Sequence, residues 1–294
     1  MIYTIGAILL ISSISAALVD FSEEKGWGGD CIGGKRQSPI DFPKNYNYSN
    51  EDYFKILSTE YPIIDDLAFA QQPANLKSYN LLNLNNSTSG HLMVRKNGIQ
   101  YKYNLMDVHF HILAEHTIDG KAYDAEMHMV HIKDNDYLAA NNITDTDEDK
   151  VNKYLVVGTI LQADGKTDNA AVARMNLNTG NKVDNLDFKV FSKPNMDYYH
   201  YIGGLTTPDC NQIVNWCVNA NPVKISDTQG NTIRKWITQL YPNGNTRVVQ
   251  QLNGRKLYRI NAAETIVIPT SNSAGFLKGN MMMLISVMIT AFFL

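Results

Sequence analysis

Short apolar runs bounded by Asn, Asp and Gly clusters recur through the middle of the chain, at residues 108–113, 125–132, 154–161, 213–218 and 263–268. Runs of that length between turn formers predict strands, and their succession predicts a mainly β, mostly antiparallel sheet. One stretch has a different period: Ile233, Trp236, Ile237 and Leu240 recur at i, i+3, i+4 and i+7, which predicts an amphipathic surface helix. No internal repeat, long linker or low-complexity block divides this region, so residues 18–270 read as one domain.

The two ends follow another pattern. Residues 1–17 carry no charged side chain, contain the apolar run 5–14 and finish on Ser15, Ala16 and Ala17. This predicts a cleaved signal peptide, with an uncleaved anchor as the alternative because basic residues are missing before the run. Residues 281–294 are apolar but shorter than the ~20 residues of a membrane span. Small residues at Ser271, Asn272, Ser273, Ala274 and Gly275 and a spacer with Lys278 precede them. Residues 271–294 therefore have the form of a GPI-attachment signal, with a short membrane tail as the alternative. Either places the protein on the outer face of the plasma membrane, and without an anchor it would be secreted. In that setting the N-x-S/T sequons at Asn47, Asn85, Asn86 and Asn142, all in polar stretches, are candidate glycosylation sites.

Composition removes several function classes. Hydrophobic residues make up 44% and charged residues 19%, which excludes a wholly disordered chain. The 26 Lys and Arg against 29 Asp and Glu give a net charge of -3, and without a basic run this argues against nucleic acid as a partner. The 3 cysteines are too few for a disulfide scaffold and lack zinc-finger spacing. Cys31 and Cys210 sit in turn-like stretches, whereas Cys217 follows Trp216 inside an apolar run and reads as a buried thiol.

Candidate chemistry is concentrated in one segment. Of the 7 histidines, His109, His111, His116, His128 and His131 fall within residues 109–131; random placement would put about half of one there. On a strand, His109 and His111 share a face, and on the next strand Glu126, His128 and Val130 share one. If the two strands pair through the turn at Asp119 and Gly120, His128 meets the other two around one ion. Three neutral imidazoles with a fourth position open form a catalytic zinc site. His116 and His131 read as hydrogen-bonded core residues. Spacing alone leaves a second reading: His109-x-His111, Glu115 and Gly120 also match the first half of a cupin signature, in which Glu115 would be a ligand to iron or manganese.

The stretch V-H-F-H-I-L-A-E-H-T-I-D-G-K-A-Y-D-A-E-M-H-M-V-H (108–131) resembles the zinc-binding core of the α-class carbonic anhydrases, in a short-loop form. In order around it, G-K-R-Q-S-P-I-D (34–41) resembles the family's N-terminal signature and G-G-L-T-T-P-D-C-N-Q-I-V-N-W (203–216) its active-site loop. Weaker similarity runs through Asn245-Thr246-Arg247 and residues 251–255, so the resemblance covers about residues 21–270. The cupin reading loses to it, because residues 123–127 lack the Pro-x-Gly of that fold's second motif.

The resemblance implies a large central twisted sheet with a few short surface helices, and reversible hydration of carbon dioxide to bicarbonate. His109, His111 and His128 would hold Zn(2+), whose charge lowers the pKa of bound water to ~7. Thr206 would accept a hydrogen bond from the resulting nucleophile and pass its own proton to Glu115. Val130, Val156, Leu205, Val214 and Trp216 would form an apolar wall for carbon dioxide, and Thr207 would face the product. Glu126 would take the ring N–H of His128, and Asp107 that of His109, where the family usually has Gln; a carboxylate there would raise the pKa of the zinc water. Cys31 and Cys210 would form a disulfide, and His91, in Ser-Gly-His, would shuttle protons. Three departures concern the periphery: no active-site Tyr accompanies Trp27, Thr246 replaces an aromatic residue, and Val248 replaces a proline. The alternative function is a catalytically silent adhesion or recognition module of the same fold, and the presence of all three histidines, Thr206 and Glu115 favours the enzyme.

Overall fold

The computed structural model describes residues 19–21, 24–48, 53–71, 79–81, 84, 88–177 and 181–260. The signal-peptide and GPI segments, the strand expected at 263–268 and the sequons at Asn85 and Asn86 lie outside the described residues. Asn47 and Asn142 are exposed.

The strands are β1 (Asp41–Phe42), β2 (Phe54–Glu60), β3 (Phe69–Gln71), β4 (Tyr79–Leu81), β5 (His91–Lys96), β6 (Ile99–His111), β7 (Thr117–Ile118), β8 (Ala125–Lys133), β9 (Tyr154–Ala163), β10 (Tyr198–Gly203), β11 (Val214–Asn219), β12 (Val223–Ile225) and β13 (Tyr258–Ile260). Among the described residues, five α-helices accompany them, besides two single turns of 3-10 helix: α1 (Asp30–Gly33), α2 (Asn135–Ala140), α3 (Asp147–Val151), α4 (Ala170–Arg174) and α5 (Asp227–Thr238). An 11-stranded sheet runs β13-β10-β11-β9-β8-β6-β4-β3, with β12 on β9, β5 on β6 and β2 on β5. Its ladders are antiparallel except where β9 meets β11 and β12. The mostly antiparallel sheet is thus present, with a parallel seam at its centre.

Cover on both faces accounts for the mostly apolar sequence of β9. Leu155, Val157 and Leu161 enter one hydrophobic cluster, and Val156 and Ile160 enter another on the opposite face. A strand covered on both faces has no polar side to show. Ile233, Trp236 and Ile237 of α5 close the first cluster, each contributing about 1.5–3 kcal/mol by leaving water. α5 begins before the expected stretch because Ser226 and Gln229 form a capping box, and it stops at Thr238, so Leu240 packs from beyond its end.

A bulge in β6 determines which face the histidines occupy. The pairing with β8 shifts between Leu105 and Asp107. Before it, Tyr101, Tyr103 and Leu105 are buried in the first cluster; after it, Val108 and Phe110 are. One extra residue inverts the alternation. Without it, the odd-numbered His109 and His111 would point into that apolar core.

The Cys31–Cys210 disulfide is formed, with Cα atoms 5.0 Å apart across a sequence separation of 179, and Cys217 is a free buried thiol. Closing so long a loop stabilises the fold by about 4–5 kcal/mol in the chain-entropy model.

Candidate metal centre

His109 of β6 stands directly opposite His128 of β8, and His111 opposite Glu126. The imidazole centroids lie 5.1 Å (His109–His111), 5.2 Å (His109–His128) and 4.6 Å (His111–His128) apart. Each ring has one nitrogen already committed. His109 Nδ1 donates to Asp107 Oδ2 at 2.6 Å, His111 Nδ1 to the Asn245 carbonyl at 2.7 Å, and His128 Nε2 to Glu126 Oε1 at 3.0 Å. The remaining nitrogens are His109 Nε2, His111 Nε2 and His128 Nδ1, and one ligand atom from each residue can be chosen with all three within 4.8 Å of one another. His111 Nε2 is buried with no hydrogen-bond partner. An orphaned buried nitrogen is costly unless something binds it, and here two more lone pairs converge beside it.

The electrostatics suit a cation. Burial, reinforced by the neighbouring histidines, holds His111 well below its ordinary pKa. Burial likewise pushes His128 down to about 4 against the opposing pull of Glu126. Both rings are therefore neutral at pH 7, the form that ligates metals. Access is from one side, since the His109 and Asp107 side chains are 17% and 19% exposed whereas those of His111 and His128 are each 2% exposed.

Glu126 is the best satisfied carboxylate nearby. Its Oε2 accepts the backbone N–H groups of Glu115 (3.0 Å) and His116 (2.8 Å), and its Oε1 accepts from His116 Nδ1 (2.8 Å) and His128. Burial acts upward on its pKa, but the contacts and hydrogen bonds with His116 and His128 outweigh it and hold Glu126 well below the carboxylate range. Gly158 makes room for it: opposite His128 on β9, a Cβ there would stand 2.7 Å from Glu126 Oε1. His116 completes its own bonding with the Tyr201 hydroxyl 2.7 Å from Nε2.

Glu115 is buried beside the trio without joining it as a ligand. Its Oε1 accepts the Arg247 backbone N–H at 3.1 Å, its Oε2 is buried with no hydrogen-bond partner, and Thr206 lies near enough to pull its pKa down. Burial and then Glu126 push its pKa well up against the pull of Arg247 and Thr206, and a dication held by the trio would act in the opposite direction. Val130, Val156 and Trp216 lie side by side across β8, β9 and β11. With Val214 and Leu205 they belong to the second cluster, and the Trp216 ring is 4.9 Å from that of His128. Thr207 is half-buried, next in sequence to Thr206.

His91 is not brought into this group. It pairs with Asn104, and its charged neighbours are Lys102, Glu60 and Asp134. Burial and then Lys102 lower its pKa. Five residues of β6, roughly 15 Å at ~3.3 Å each, separate that register from His109, so His91 does not touch the trio.

Sequence reasoning assigned no role to three positions. Asn245 holds the end of β6, its carbonyl on His111 and its side chain on Ile112 N and Phe110 O. Arg247 positions Glu115 through its backbone. Gly158 carried a signal, a glycine inside an apolar strand, which marks a close approach.

The family model of the eukaryotic-type carbonic anhydrases matches residues 22–261. A carbonic anhydrase of Nostoc sp. is 30% identical over 238 residues, covering 76% of this chain and 76% of its own length. Alpha carbonic anhydrase 2 of Arabidopsis thaliana is 30% identical over 204 residues, covering 64% of this chain and 69% of its own. Among solved structures, the alpha-carbonic anhydrase from Thermovibrio ammonificans in complex with the inhibitor sulfanilamide superimposes with a TM-score of 0.57 at 26% identity, covering 78% of this chain and 89% of that one. With the motif order, the sheet and this match in agreement, the chain belongs to the eukaryotic-type, or alpha, carbonic anhydrase family, whose members are carbonate dehydratases, a class of lyases.

Proposed function

We propose that this carbonic anhydrase holds zinc at His109, His111 and His128 and works on the outer face of a cell membrane. The observation that carries the metal reading is the set of three imidazoles, each fixed from behind by an oxygen acceptor, with their free nitrogens converging. Three nitrogen ligands suit a catalytic zinc with an open position. When bound, zinc supplies Lewis acidity that lowers the pKa of a coordinated water to ~7.

The remaining chemistry falls to the chain. With its O–H turned to the unpartnered Oε2 of Glu115, the Thr206 hydroxyl would only accept, and so would orient the attacking water toward carbon dioxide. Val130, Val156, Leu205, Val214 and Trp216 offer an uncharged linear substrate a dry, weakly binding wall. Weak binding avoids deepening the ground state before attack. Thr207 is assigned to the product.

The test is zinc content measured together with carbon dioxide hydration on the purified chain: about one zinc per chain with activity is expected. A folded, zinc-free, inactive protein would support the silent module instead.

The surface location rests on the N-terminal apolar run, the C-terminal attachment grammar, the exposed sequons at Asn47 and Asn142, and the disulfide, which fits an oxidising compartment. Phosphatidylinositol-specific phospholipase should release active enzyme from intact cells. Recovery of the peptide 281–294 from the mature protein would instead identify a membrane tail.

A further inference from the structure

On the face of β9 that looks toward the metal centre, Val156 and Ile160 enter the second cluster, and between them Gly158 presents no side chain. Glu126 starts opposite Ile160 and His128 opposite Gly158, so a carboxylate that reaches the His128 ring ends over Gly158. A Cβ there would stand 2.7 Å from Glu126 Oε1 and 3.2 Å from Val218 Cγ2, where ordinary contact begins at 3.4 Å. Val218 is the partner of Gly158 on β11, so a side chain could not retreat from the carboxylate. The φ of Gly158 is not positive, and β9 passes through it in register with β8 and β11. Space, and not backbone freedom, is what this glycine supplies.

A clash with the end of a flexible side chain is ordinarily relieved by a small swing. Glu126 cannot swing freely, because it is fully buried and each of its oxygens already holds two donors. Of the two bonds to Oε1, that from His128 is the longer, at 3.0 Å against 2.8 Å from His116. Displacing Oε1 would leave the His128 Nε2–H buried without its acceptor. The ring would then no longer be held in the tautomer that turns a bare Nδ1 toward His109 and His111.

We propose that Gly158 is a positioning residue of the metal centre: its missing side chain is the seat of the Glu126 carboxylate, and through that carboxylate it fixes which nitrogen of His128 faces the metal. This deepens the zinc reading and rests on it. Gly158 acts on the metal only through Glu126 and His128.

The test is Gly158→Ala in the full chain, alone and combined with Glu126→Asp, whose carboxylate lies one methylene further back. Zinc affinity of the folded protein is read by chelator competition, and the protonation of the His128 ring nitrogens in the zinc-free protein by histidine nitrogen NMR. The parent should carry the His128 proton on Nε2. Gly158→Ala should lose that single tautomer and bind zinc about 10–100-fold more weakly. In the Glu126→Asp background the same alanine should cost less than about twofold, because the shortened side chain has already vacated the space.

A glycine that serves packing alone would lower the unfolding midpoint of the zinc-free protein and leave the tautomer and the zinc affinity as in the parent; that result would overturn the proposal. An equal loss of affinity in both backgrounds would overturn it as well, by placing the conflict at Val218. If Gly158→Ala does not fold, recovery of folding by Glu126→Asp supports the shared space and failure to recover refutes it. A parent chain that binds no zinc would overturn the zinc reading, while the His128 tautomer in parent and variant would still test the contact between Gly158 and Glu126.

Discussion

Two groups of side chains share His128 and present metal-binding atoms at similar spacing. One is His109, His111 and His128; the other is His116, Glu126 and His128. Distance alone does not separate them, but hydrogen bonding does. In the second group both Glu126 oxygens carry two donors each, and both nitrogens of His116 have partners. In the first group each imidazole has one nitrogen uncommitted, and that of His111 is orphaned in the protein interior. A metal site is marked by unspent lone pairs, whereas a saturated cluster is the scaffold that aims them.

The comparison can be broken most severely at His111, which belongs only to the first group. His111→Ala should abolish tight zinc retention and lower hydration by at least ~10³-fold, because two imidazoles do not hold a tetrahedral site; retained zinc by elemental analysis would refute the trio. Glu115→Ala should keep the metal and lose about 10²-fold or more in turnover, as expected for a group that orients rather than ligates. Loss of metal in that variant would return Glu115 to the ligand role of the cupin reading.

Smaller effects sharpen the scaffold's part. Glu126→Gln places an amide where four donors converge, so it should weaken zinc binding by about 10–100-fold in a chelator competition; unchanged affinity would show that Glu126 does not set the His128 ring. Two buried histidines outside both groups, His131 of β8 and His200 of β10, also predict a pH dependence. Burial is the main reason that His131 and His200 are both pushed down to about 3 from an ordinary 6.5. The unfolded chain then binds more protons than the native one as pH falls through 6.5. Their contribution is intact above about pH 6.5 and is lost progressively toward pH 3, by several kcal/mol in total. Denaturant unfolding between pH 7 and 4 should show this fall, and a flat profile would mean that the two rings are protonated in the native state.

Much of this centre was legible from local order. His109-x-His111 and Glu126-x-His128 are strand alternations, and a hairpin between them is enough to bring the trio together. Their direction toward the site was not legible, because it depends on the bulge between Leu105 and Asp107, and nothing in that sequence separates a bulge from a regular strand. The Asn245 carbonyl behind His111 is 134 residues away and is a backbone group, so no side-chain pattern announces it. The parallel pairing of β9 with β11 was hidden because a strand covered on both faces shows an apolar run in either direction of pairing. The amphipathic helix was legible from its buried stripe, while its start lay in the Ser226–Gln229 box, outside that stripe.

The central claim is that one metal sits among three converging imidazole nitrogens and not in the saturated cluster beside them. An anomalous difference map from crystals of the zinc-loaded protein, recorded on both sides of the zinc edge, tests it directly. The account predicts one strong peak about 2.0–2.1 Å from His109 Nε2, His111 Nε2 and His128 Nδ1. A peak bounded by His116, Glu126 and His128, or one with a Glu115 oxygen in its coordination shell, would contradict it.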